Sequence, residues 1–495
     1  MRKAAGRSVA VGIAALALIF LVGIAVYPWR STAYFWDFRA FYHGASAYLH
    51  GNSPYPVARL PALTNKQNFV YPLPIAALFA PFALLPFWVA AGLFATVNVA
   101  ALALTLRVLN VTDPRCYVVA LIGLPSQYAL KLGTIMPILA LLLALAWRYR
   151  NRPRVAVPIL ALLVLAKVFL WPIGVWYLAT RRVGAVLGAC AVAVGLVLLS
   201  VVPVGLEPLR AYPHLLSVLS NYESTFSWSV TAFGVSLGMS PFTATLLQYL
   251  VGGAVLFAAV VVARRGEAAA SFSLAIGASL ALSPIVWGHY FVLCLVPLAL
   301  QQRRFSAVWL ATAWVLLDTT PFGASRPYFI AAAAAGCALQ LGLGGRLRLP
   351  LVPSVAAACV AVVALIFVGG SVARSATQRW VGLHGEGAAS GAANVRLGDD
   401  RVCWTVWAEN VPQAGTRLAF VAAGSRAVVA TLAPRVALRE GRAEGCTADR
   451  RARAWRAQAK AGKFPARLAV VAPSGRVLLE GALEDPDAAR PGPPG

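Results

Sequence analysis

One acid near the start of the chain stands apart. Asp37 lies between Trp36 and Phe38 in the stretch YFWDFRAFYHGASAYLHGNSPYPVARLPALTNKQNFVYPLP, residues 34–74. From Asp37 onward Phe38, Phe41, Ala45, Tyr48 and Leu49 recur at spacings of three and four. That is the period of an amphipathic helix, with Gly51 as its stop. Asn52-Ser53-Pro54-Tyr55-Pro56 reads as a turn. A carboxylate at the head of such a helix is favoured as the anion by the N-terminal dipole and stands ready to accept a proton. The same position suits a plain helix cap, and the local sequence leaves both readings open.

Acids are scarce elsewhere. Up to residue 371 the only others are Asp113, Glu207, Glu223, Glu267 and Asp318, all in loops or near the ends of apolar runs. Ion-coupled transport usually keeps an acid within a span, and none is evident. Cations inside apolar runs are the complementary candidates. Lys167 interrupts ILALLVLAKVFLWPIGVW, and Lys131 interrupts LPSQYALKLG. A bound phosphate would satisfy a lysine there, and snorkelling to an interface is the plain alternative. His289, in LSPIVWGHYF, sits where an apolar run begins, as an interfacial histidine or as a second contact for such a phosphate.

These residues need a scaffold, and composition names its class. Of 495 residues, 60% are hydrophobic and only 12% charged, with a mean hydropathy of +0.73. Soluble domains carry about 25% charge. Uncharged runs of spanning length recur, so the chain reads as an all-α polytopic membrane protein. The net charge of +26 sits in short basic clusters between apolar runs. That pattern anchors loops to an anionic membrane face rather than binding nucleic acid.

Arg2, Lys3 and Arg7 precede an apolar run at residues 9–27. It reads as an uncleaved first span with a cytoplasmic N-terminus, a signal peptide being the competing reading. Runs at 71–85, 87–106, 116–130, 135–147 and 155–178 follow. Five crossings keep the orientation needed downstream but put Arg148, Arg150, Arg152 and Arg154 outside. A re-entrant pair around Lys167 and Pro172 puts them inside, and the sequence leaves both open. Short, broken runs at membrane depth need protein or a water-filled cavity to cover them, so a cavity is expected here. Arg181-Arg182, Arg264-Arg265, Arg303-Arg304 and Arg346/Arg348 then mark the inner ends of spans at 183–204, 243–263, 269–286, 290–300, 307–320, 328–343 and 351–368. Residues 28–70 and 205–240 are outer loops, the second carrying Tyr212, Asn221, Glu223 and Trp228. The total is about 13 transmembrane helices.

The domain boundaries expected are 1–371 for the membrane part, 372–485 for a small β-sandwich-like extracytoplasmic domain, and 486–495 for a disordered tail. Cys116, Cys190, Cys294, Cys337 and Cys359 lie in apolar runs and read as packing residues. Cys403 and Cys446 lie in the small domain, where an oxidising compartment suggests a disulfide. Spacing for a resident metal, a P-loop or a dinucleotide fingerprint is absent, so no cofactor and no divalent metal are implied.

DFRAFYHGASAYLHGNSPY followed by NFVYPLPIAALFAPFALLP resembles the first outer loop and second span of glycosyltransferase family 87. LVLAKVFLWPIGVWYLATRR and LSPIVWGHYFVLCLVPLAL are similar to two later segments of that family, and the resemblance covers roughly residues 10–345. It implies a GT-C fold in the plasma membrane and an inverting hexosyl transfer, with mannose as the sugar on a polyprenyl-phosphate donor. It implies a membrane lipid environment, a lipid or cell-envelope glycan acceptor on the outer face, and Asp37 as general base. Lys167, His289 and Lys131 would then receive the donor phosphate. Trp36, Tyr42, Tyr71, Asn221 and Glu223 would line the sugar and acceptor site. Leu132-Gly133-Thr134 stands where the family has a Gly-Gln pair, so that glutamine's role has no counterpart. A lipid-linked-sugar flippase and a scaffold for the small domain are the other classes. The sequence leaves the oligomeric state open.

Overall fold

The computed structural model describes residues 35–55, 68–224, 227–236, 239–306, 309, 377–385, 389–397, 401–412, 415–422, 428–436, 438, 442–448 and 466–482. The expected spans at 9–27, 328–343 and 351–368 and the tail 486–495 lie outside these residues, and of 307–320 only Trp309 lies inside. The chain divides into two compact units. One comprises 1–58, 67–321 and 325–367, the other 59–66, 322–324 and 368–495.

In the first unit, α1 (Trp36–Leu49) begins the described chain. It ends before Gly51, whose φ of +74° suits a residue without a Cβ. Its buried face, Phe38, Phe41 and Ala45, meets α2 (Leu73–Ala83) and α3 (Phe87–Val108) through aromatic rings. Phe38 stacks on Phe94 at 4.9 Å, and Phe41 stacks on Phe79 at 4.4 Å. Leu49, expected on this face, is exposed.

The chain then runs through α4 (Pro114–Ile122), α5 (Leu124–Leu132) and α6 (Met136–Arg148). α7 (Pro153–Ala166), a short 3-10 turn (Val168–Leu170), α8 (Trp171–Ala179) and α9 (Val183–Ser200) follow. After them come α10 (Glu207–Glu223), α11 (Val230–Ser236), α12 (Pro241–Arg264) and α13 (Ala268–Leu282). A second 3-10 segment (Gly288–Cys294) leads into α14 (Leu295–Gln301).

Among the described residues α3, α9 and α12 are long and apolar enough to cross a membrane, and the remaining apolar helices are shorter. Several expected spans are therefore corrected. The run at 71–85 is α2, 11 residues packed along α1 and shorter than a spanning helix. The run at 116–130 is two helices meeting at Gly123. The run at 155–178 is a hairpin. Arg182 Nη2 donates to Asn151 Oδ1 at 2.7 Å, and Tyr177 Oη donates to the Ala146 carbonyl at 2.7 Å. A continuous helix over this stretch would separate its ends by about 40 Å at 1.5 Å per residue. The chain instead turns at Lys167 and returns to the level it left. The Arg182 and Tyr177 bonds set the basic cluster at residues 148–154 beside Arg181-Arg182. From residue 71 to 182, α3 alone is of spanning length, and the other apolar helices are shorter. The expected outer loop at 205–240 is itself largely helical, as α10 and α11.

The second unit is an antiparallel sheet of β1 (Thr377–Gly385), β2 (Ser390–Leu397), β3 (Arg401–Glu409), β4 (Thr416–Ala422), β5 (Val428–Val436), β6 (Arg442–Ala448), β7 (Ala466–Val471) and β8 (Val477–Ala482). The order is β5-β4-β7-β8-β1-β2-β3-β6. β8 and β1 share only two register pairs, at Gly385, where a Cβ would strike the Leu478 carbonyl. Leu383, Val395, Trp404 and Val406 from one half share a core with Leu418, Leu468, Val470 and Leu479 from the other. One continuous sheet thus shares one apolar core.

Candidate active site

Asp37 is set by the start of α1. Phe35 occupies the cap position with φ 57°, and no side chain caps the helix. The Phe35 N–H donates to the Lys131 carbonyl at 2.8 Å, tying α1 to the end of α5. Gly133 makes this approach possible. A Cβ there would lie 2.7 Å from Phe38 Cβ, and its φ is +66°. Asp37 thus stands one residue inside the helix and is not the cap, which corrects the plainer sequence reading. Its carboxyl is 24% exposed.

Three other elements meet it. The tip of the α7–α8 hairpin brings Lys167, whose backbone is extended (φ −151°, ψ 106°) where α7 ends. Its Nζ donates to Tyr290 Oη at 3.0 Å and lies 4.3 Å from the Tyr71 ring centre. Phe169 stacks on Tyr290 at 5.3 Å, holding the tip against the second 3-10 segment. That segment carries His289, buried, with Nε2 3.9 Å from Asp37 Oδ2. Its ring packs against Tyr128 and Tyr290, and Nδ1 has no hydrogen-bond partner. The end of α10 brings Glu223 into the electrostatic reach of both Lys167 and Asp37.

Burial governs the two carboxyls. It raises Asp37 from the usual 3.8 to about 6, with the Lys167 charge pulling the other way. It raises Glu223 from 4.5 to about 8, the Lys167 charge again opposing and the Asp37 charge adding. Near neutral pH, Asp37 is the carboxylate and Glu223 keeps its proton. Two carboxyls within electrostatic reach of each other thus differ in protonation, separated by environment.

The predicted residues divide. Asp37, Lys167, His289, Tyr71 and Glu223 come together. Trp36 flanks Asp37 on α1 and is 43% exposed. Lys131 sits in the last turn of α5 and meets the site through its carbonyl. Tyr42 packs on Phe38 and Phe87 while its hydroxyl donates to the Leu85 carbonyl at 2.8 Å. It braces the α2–α3 corner instead of lining the site. Asn221 lies on α10, two residues before Glu223. Tyr290 was missed as the partner of Lys167. Its place directly after His289 in an aromatic run was the available signal. Tyr55 and Tyr212 were missed as a wall: they stack at 5.2 Å, and Tyr55 Oη donates to the Tyr71 carbonyl. Among the described residues no three His, Cys, Asp or Glu gather to hold a metal ion. In the second unit the register sets Cys403 directly opposite Cys446.

Residues 69–285 match the model of glycosyltransferase family 87. No curated protein matches the chain, and no solved structure does. The matched stretch contains Tyr71, Lys131, Lys167, Asn221 and Glu223, while Asp37 precedes it and His289 follows it.

Proposed function

From the glycosyltransferase family 87 domain that this chain carries at residues 69–285, we propose a membrane glycosyltransferase that moves a hexose, mannose or a close relative, from a polyprenyl-phosphate donor. The acceptor is a hydroxyl of a lipid or cell-envelope glycan on the outer face. The observation that carries this reading is the pairing of a partly buried carboxylate with a lysine packed on two tyrosine rings.

Asp37 takes the acceptor hydroxyl proton as that oxygen attacks the anomeric carbon. The bond from that carbon to the lipid phosphate breaks, and its electron pair leaves with the phosphate. Lys167 receives the charge that develops there, so no general acid is needed. One base and direct displacement invert the anomeric centre. His289 lies beside Asp37 with Nε2 at 3.9 Å, and its unpartnered Nδ1 is left to face a substrate hydroxyl. Glu223, protonated, donates a hydrogen bond to a sugar hydroxyl. The basic end of the bundle faces the cytoplasm by the positive-inside tendency, which puts Asp37 outside. The second unit then lies in an oxidising compartment. Directly paired residues on antiparallel strands lie about 4.5–5.5 Å apart between Cα atoms, within disulfide range. We therefore expect Cys403–Cys446 to be oxidised, and maleimide labelling of the unfolded chain without reductant should miss both.

Asp37→Asn tests the enzyme. Transfer should fall by about 10²-fold or more while donor binding persists. The carboxylate's folded pKa is raised, so its burial disfavours folding above about 6 and not below 3.8. The variant should therefore melt no lower than wild type near neutral pH. Wild-type transfer should rise with pH up to about 6 and fall again above about 8 as Glu223 loses its proton. A folded, fully active Asp37→Asn protein would instead favour a flippase or a scaffold.

A further inference from the structure

The face of α1 opposite Asp37 carries a second cation that the transfer reaction does not use. Arg39 lies two residues beyond Asp37, about 200° around the helix. Its guanidinium sits 4.4 Å from the Phe87 ring centre and 5.5 Å from that of Trp88. Cation–π contact with two rings fixes its position. Its Nε is buried with no hydrogen-bond partner, and among the described residues no carboxylate pairs with it. His43, one turn on, is kept neutral by partial burial and by the Arg39 charge. A fixed, uncompensated cation with an unmet donor needs an anionic oxygen.

What lies beside it says which anion. Trp88 opens α3, one of the helices long enough to cross a membrane, and is 42% exposed. Below it Val89, Leu93, Val97 and Leu104 are exposed along one side of α3. An exposed tryptophan in the first turn of a helix whose other side is apolar and exposed marks the headgroup level of a lipid-facing helix. A phosphate at Arg39, which packs on Trp88, would therefore lie at the headgroup level, with its acyl chains in the bilayer beside α3.

We propose that Arg39, with Phe87 and Trp88, binds the headgroup phosphate of an anionic glycerophospholipid, which seats α1, and with it Asp37, against the bilayer. This site is separate from the Lys167 cavity and does not depend on the glycosyl transfer. It needs only that the chain is embedded in a bilayer. Arginine rather than lysine fits the role, because the planar fork can stack on rings and bind two oxygens together.

The test reads bound lipid, not transfer. Full-length protein is reconstituted in nanodiscs of phosphatidylcholine alone or mixed with phosphatidylglycerol, released in mild detergent, and examined by native mass spectrometry. Wild type should retain phosphatidylglycerol in preference to phosphatidylcholine. Arg39→Gln should weaken that retention about tenfold, as expected for one charge-assisted hydrogen-bonded contact. Lys167→Met should leave it unchanged. Equal retention of the two lipids by wild type overturns the proposal without any variant. So does retention that Arg39→Gln spares and Lys167→Met removes, or retention that inorganic phosphate displaces.

Discussion

Two stretches of similar composition take opposite paths. α3 runs 22 residues without interruption, while the stretch from Pro153 to Ala179 breaks in the middle and turns back. Both are apolar, and both contain polar side chains. In α3 those side chains find partners without disturbing the helix. Thr105 bonds to the Ala101 carbonyl one turn back, and Asn98 donates to the Thr134 carbonyl across a helix interface. Lys167 has no such option. Its ammonium needs an oxygen and aromatic faces, and it finds them in Tyr290 and Tyr71 only by leaving the helix. Pro172, tolerated in the first turn of a new helix, then restarts the chain as α8. A buried cation near a proline thus turns a spanning stretch into a hairpin whose tip carries chemistry.

The sharpest way to break this comparison is sidedness. Arg154→Cys and Gly184→Cys, in a cysteine-free background, should both react with a membrane-impermeant maleimide from the same side. Labelling from opposite sides would mean that the Pro153–Ala179 stretch crosses as α3 does. The next effect is chemical. Lys167→Met keeps the apolar stem and removes the charge, and donor-lipid binding and transfer should both fall by about 10²-fold or more. Normal donor binding by this variant would reduce the bend to a packing feature. The smallest effect is expected from Tyr290→Phe. It removes one hydrogen bond to Lys167 while keeping the ring, so transfer should fall about 5- to 10-fold, near 1 kcal/mol, with little change in melting temperature. A loss as large as that of Lys167→Met would move the tyrosine hydroxyl into the reaction itself.

The helical period from Phe38 onward was legible because the alternation of large apolar and small residues is local. So was the β character of the second unit, where Val402–Ala408 and Leu468–Val471 fall inside observed strands. Asp37 and Lys167 were legible as candidates because charge is rare in an apolar chain, and each needs a reason to be there. Tyr42 was misread because a half-buried tyrosine near an acid looks the same in sequence whether it faces a ligand or a carbonyl. The stretch 155–178 stayed open between a crossing and a re-entrant pair for a related reason. Its hydropathy is that of a crossing, and only Lys167 and Pro172 hinted otherwise.

Composition and periodicity determined that this chain is a membrane-type helical protein with a β unit after it. They also determined that its reactive groups must be a few isolated charges, because both properties follow from residue types summed along short windows. The tertiary structure decided which of those charges meet. Asp37, Lys167, Glu223 and His289 lie on four elements far apart in the chain. Their convergence depends on a backbone contact from Phe35 to Lys131, a glycine at position 133 and a hairpin turned at Lys167. The same packing raises the Glu223 carboxyl further than the Asp37 carboxyl, because burial and neighbouring charge set protonation, and neither is written in the local sequence.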